Sequence, residues 1–123
     1  MAVSADFRAY VEELFASLGP VRIKSMFGAA GVYADDLMFA IIDDDTLYLR
    51  VDDQIRPRFE AVGSTPFVYR TRDGQEMSLG YWRAPDDALE GPDEAEPWAR
   101  LSLDAALRKK AAKPKPRKRK GSA

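Results

Sequence analysis

The feature that most constrains this chain is a rhythm of short apolar runs between residues 21 and 51, each cut off by a turn signal. "VRIKSMF" alternates Val21, Ile23 and Ser25 against Arg22, Lys24 and Met26, and then meets Gly28. "GVYA" stops at Asp35-Asp36, "LMFAII" stops at "DDDT", and "LYLRV" follows. Runs this short, separated by tight polar breaks, predict strands that lie antiparallel to their neighbours. A fifth and a sixth strand are predicted by "PFVYRTR", Asp73-Gly74 and "QEMSLGYW", because an Asp-Gly pair supplies positive φ at low cost in a hairpin.

Helical periodicity flanks these runs. In "ADFRAYVEELFASL", Phe7, Tyr10, Val11, Leu14, Phe15 and Leu18 recur at spacings of three and four, with Ser4 as N-cap and Gly19-Pro20 as the stop. Asp52 caps a short helix, "DQIRPRFEAV", closed by Gly63; Pro57 falls near the end of its first turn, late for a proline, so an irregular start is expected. "APDDALEGPDEAEP" is an acidic connector with room for one helical turn. From Ala95 to about Ala112 a third helix is expected, its apolar side made of Trp98, Leu101, Leu103, Ala105, Ala106 and Leu107. The order is helix, four strands, helix, two strands, helix. It predicts an α+β fold, a twisted antiparallel sheet of about six strands with helices packed mainly on one face.

Charge divides the chain in two. All 20 acidic residues lie at or before Asp104, against ten basic ones, so that part carries −10; the last 19 residues carry +9. One domain over residues 1–108 is expected, followed by a disordered tail over 109–123 that holds Lys109, Lys110, Lys113, Lys115, Arg117, Lys118, Arg119 and Lys120. Three fates are open for these cations: nonspecific contact with nucleic acid phosphates, pairing with the acidic body, or simple solvation.

Histidine and cysteine are both absent. This removes disulfides, thiolate zinc sites, Cys nucleophiles and Ser-His chemistry, and leaves only carboxylate, Lys or Tyr chemistry open. The opening "MAVSADFRAYVEELF" has no basic segment followed by a long apolar one, so no signal peptide is expected. "LMFAII" is too short to span a bilayer, and the expected location is the cytoplasm.

Four stretches invite a chemical reading. "SMFGAAGVY" has Gly28 and Gly31 three apart, but a strand follows them instead of a helix N-terminus. A bend or bulge is therefore expected over a phosphate loop. "DDDT" lacks the alternation and the glycine of a calcium loop and reads as a solvated turn. Pairs of carboxylates occur by chance among so many acids, so they mark no catalytic dyad. "YWR", Tyr81 to Arg83, offers a stacking platform for bases, or else the end of a strand with at least one ring in the core. No catalytic, metal-binding or cofactor-binding residue is expected.

"SMFGAAGVYADDLMFAIIDDDTLYLRVDD", "RFEAVGSTPFVY", "LGYWRAPDDALE" and "WARLSLDAAL", taken in that order, resemble the TfoX N-terminal domain family, the bacterial competence regulators also called Sxy. The likeness covers roughly residues 5–108. Met26, Phe27, Gly28, Gly31, Tyr33, Tyr81, Trp82, Pro85 and Trp98 fill the positions of the family pattern, along with Phe39, Leu49, Phe59 and Phe67. Being mostly apolar or glycine, they read as core and turns. The resemblance implies a non-catalytic regulatory or interaction domain in transcription or competence, acting through a protein partner, with homodimerisation through sheet edges open. A nucleic-acid accessory protein and, behind it, a small carboxylate enzyme are the alternatives. Full-length competence regulators carry a second, helical domain; in this chain the basic tail stands where that domain would follow.

Overall fold

The computed structural model describes residues 4–26, 28–70 and 72–112. Helix α1 spans Ala5–Leu14, and the Ser4 hydroxyl accepts from the Phe7 N–H at 3.1 Å. A 3₁₀ turn over Ala16–Leu18 ends at Gly19, whose φ of 95° suits glycine. Four strands follow: β1 Val21–Met26, β2 Ala29–Ala34, β3 Leu37–Asp43 and β4 Thr46–Arg50. Helix α2 (Arg56–Ala61) leads to β5 (Pro66–Arg70) and β6 (Glu76–Arg83), and a 3₁₀ turn over Asp86–Leu89 leads to α3 (Pro92–Ala112). All six predicted strands are present.

They form one antiparallel sheet in the order β1-β2-β3-β4-β6-β5. The first four make a meander, because each turn is too short for anything but a neighbour. Asp44 and Asp45 both adopt φ of 53°, the left-handed pair of a tight two-residue hairpin, and Asp43 pairs with Thr46 across it. Gly28, with φ of 81°, provides the reversal between β1 and β2; its neighbour Phe27 lies outside the described residues. Gly31 is not part of that reversal. It lies inside β2, opposite Lys24 on one side and Ile41 on the other.

Strand alternation divides the sheet into two faces. One carries Ile23, Val32, Ala40, Ile42, Leu47, Leu49 and Trp82, and the apolar residues of all three helices join it in a single core. A bulge in β3 turns Phe39 to this face, where its ring meets Phe15 edge-on at 5.0 Å. The cluster on the opposite face is made of strand residues alone: Ile41, Phe67 and Tyr81, flanked by Ala29, Met38 and Tyr48. Fully covering a large side chain is worth roughly 1.5–3 kcal/mol, so the helix side, with Phe15, Phe39 and Phe59 all buried, dominates stability.

Helix α3 begins three residues before the expected Ala95 and reaches Ala112. Its buried seam is Ala95, Ala99, Ser102, Ala105 and Ala106, whereas Leu107, expected on the apolar side, is 50% exposed. Lys109 and Lys110, assigned by sequence to the start of the tail, are helical. Lys113, Lys115, Arg117, Lys118, Arg119 and Lys120 lie outside the described residues. No helix among the described residues is long and apolar enough to cross a membrane.

Candidate binding surface

The sheet face opposite the helix-covered core carries a set of cations and aromatic rings. The strand register sets them in cross-strand rows. Lys24, Gly31, Ile41, Tyr48 and Arg83 follow one another from β1 to β6. The neighbouring row holds Arg22, Tyr33 and Met38, with Arg50 and Tyr81 across β4 and β6. Each of these cations alternates along its strand with an apolar residue that the core requires: Arg22 and Lys24 with Val21 and Ile23, Arg50 with Leu49. Burying one set delivers the other to the opposite face.

Cations and rings are in contact on this face. The Arg22 guanidinium stands 5.8 Å from the Tyr33 ring centroid, and the Lys24 ammonium 5.7 Å from it. Arg50 lies over Tyr81 at 5.0 Å. Tyr81 is buried, and its hydroxyl donates to the Met38 carbonyl at 3.3 Å. Burial pushes its phenol above the ordinary value, with Arg50 opposing. Tyr48 is half-buried against Phe67, centroid to centroid 4.6 Å. Its phenol is raised by burial and then by Asp43, with Arg83 pulling the other way. Both rings are therefore uncharged at neutral pH.

Acids occupy the ends of the face. Asp36, at the β2–β3 turn, pairs with Arg22 at 3.3 Å, both side chains well exposed. Asp43 to Asp45 close the β3–β4 end. Beside the Asp36 end, the last turns of α3 bring Lys109 and Lys110 to an open cleft of about 380 Å³ that they share with Asp36, Met38, Arg50 and Tyr81. Next to it, Arg108 grips Asp52 with two hydrogen bonds of 2.7 and 3.0 Å.

The residues singled out by sequence are scattered across this architecture. Tyr81 and Trp82 point to opposite faces, so the "YWR" stretch forms no platform of adjacent rings; Trp82 packs on the helix-side core. Pro85 is buried at the entry to the 3₁₀ turn, and Trp98 meets Phe59 edge-on at 5.1 Å. Of the family-pattern residues, Gly31, Tyr33 and Tyr81 fall in the cationic rows. Arg22, Lys24 and Arg50 escaped the sequence reading because each is an unremarkable polar residue in an alternating strand, and Arg83 entered it only as the end of the "YWR" stretch; only the pairing order gathers the four. Among the described residues no group of three or more acidic side chains is placed to hold a metal ion.

Comparison with known proteins places the chain in context. The family model for the TfoX N-terminal domain matches residues 13–106. Protein Sxy of Escherichia coli (strain K12) is 29% identical over 99 residues, which cover 80% of this chain and 47% of Sxy. DNA transformation protein TfoX1 of Aliivibrio fischeri (strain ATCC 700601 / ES114) is 35% identical over 65 residues, 50% of this chain and 31% of that protein. The chain thus spans less than half the length of these curated relatives.

Proposed function

The chain belongs to the TfoX N-terminal domain family, and from that premise we propose that it is a non-catalytic regulatory domain in DNA transformation or its transcriptional control, acting by presenting surfaces to a protein partner. The observation that carries this reading is the extent of the family match, which runs from α1 nearly to the end of α3 and so takes in the whole sheet. The distribution of chemistry supports it. The helix–sheet interface is filled with apolar side chains. A second copy of this chain is one partner the sheet edges admit. The test is deletion in the native cell. Transformation frequency and the transcripts of DNA-uptake genes should fall, and the chain supplied in trans should restore them. Unchanged frequency and transcripts would remove the proposal.

A second reading, a nucleic-acid accessory protein, is favoured by one observation. Lys109 and Lys110 end α3 beside Arg50, and the sequence continues with six cations within residues 113–120. Such a segment binds phosphates by counterion release, with a slope against salt that counts the phosphates neutralised. Replacing those six cations with glutamine in the full chain should flatten the slope on duplex DNA. The reading fails if the slope stays the same.

A further inference from the structure

We infer that the helix-free face of the sheet is a binding platform for single-stranded nucleic acid, with Tyr33 and Tyr48 as stacking surfaces and Arg22, Lys24, Arg50 and Arg83 as phosphate contacts. Single strands are bound by alternating aromatic rings and cations, since every base has a π face and every nucleotide a charge. This face supplies both at positions fixed by strand register. Lys24 and Arg83 end a row that contains Tyr48, and Arg22 and Lys24 stand against Tyr33.

Charge complementarity selects the occupant. The body up to Asp104 carries −10, yet the two central rows of this face hold four cations and no acid; the acids sit at the two turns that bound it. An acidic peptide would meet the same cations but would leave the rings without partners. A duplex presents no open base face to stack. The exit of the chain points the same way. α3 ends with Lys109 and Lys110 lining the cleft next to Arg50 and Tyr81, which adds two cations at one end of this platform. The proposal concerns the sheet and stands apart from the tail reading, which predicts no preference for single strands.

The experiment is fluorescence anisotropy on the full chain, with a short labelled single strand of mixed sequence and with its duplex, at low and moderate salt. The single strand should bind more tightly. Tyr33→Ala should weaken it at least fivefold, about the loss of one stacked base, and Lys24→Gln and Arg83→Gln should each weaken it severalfold. Both charge variants alter exposed side chains, so they decide the matter if Tyr33→Ala perturbs folding. The full chain with its six tail cations changed to glutamine should bind more weakly overall but retain the single-strand preference. Equal affinity for duplex and single strand, loss of the preference with the tail charges, unchanged binding in the three face variants, or no binding of either polymer would overturn the proposal.

Discussion

At the scale of single residues, two side chains carry consequences that their types do not announce. Ser102 is fully buried in the α3 seam, and its hydroxyl has no hydrogen-bond partner among the described residues. An unpaired buried hydroxyl costs about 1–3 kcal/mol, and alanine removes it without opening a large cavity. Ser102→Ala should therefore raise stability by about 1 kcal/mol, read as a higher urea midpoint at unchanged slope. Asp52 accepts from the Gln54 and Ile55 N–H groups and from Arg108. Chiefly through Arg108, its carboxyl is held below the ordinary value, against the opposing effect of burial. The folded state thus takes up that proton less readily than the unfolded chain. The resulting stability is fully present above the unfolded carboxyl's value of about 4 and is lost as pH falls through the lower folded value. Both side chains are about a third exposed, so solvent screens the pair. Arg108→Ala should cost about 1 kcal/mol at pH 7 and clearly less near pH 3, measured by urea unfolding at both values.

At the scale of elements, α3 shows size overriding hydrophobicity. A reading by apolar periodicity favours the leucines, yet the residues pressed inward are Ala95, Ala99, Ser102, Ala105 and Ala106, while Leu107 is half exposed. Small side chains let a helix backbone approach the sheet closely, and the larger Trp98 and Leu101 then pack at the flanks of the seam. Ala99→Leu should destabilise by about 1–3 kcal/mol through overpacking, and Leu107→Gln by less than about 0.5 kcal/mol. Thermal denaturation of the two variants side by side tests the assignment, and the reverse ranking would refute it. The same helix explains a misplaced boundary. The sequence reading assigns residues 92–94 to the acidic connector, but the helix begins at Pro92, where a missing N–H costs nothing, and Pro97 lies inside it.

At the scale of the whole molecule, one sheet carries a large core on one face and a small cluster on the other. Strands β3 and β4 are central and contribute to both, while β1 and β5 are edges. Native-state hydrogen exchange should find the slowest amides in β3 and β4 and faster ones in β1 and β5; uniform protection across the sheet would contradict this division. Much of the plan was legible in the sequence. The turn signals at Gly28, Asp35-Asp36 and Asp44-Asp45 are local, and with the alternation of apolar residues they determined six strands, three helices and the antiparallel meander, because a two-residue turn leaves a strand no other neighbour. The strand order beyond β4 is a long-range pairing. Nothing local says that β6 lies beside β4 with β5 outside it, and it is this pairing that aligns Arg83 with Tyr48 and Tyr81 with Arg50. The cationic, aromatic face is therefore a product of tertiary structure: its residues come from strands far apart in the chain, and only the closed register of the sheet brings their charges and rings onto one side.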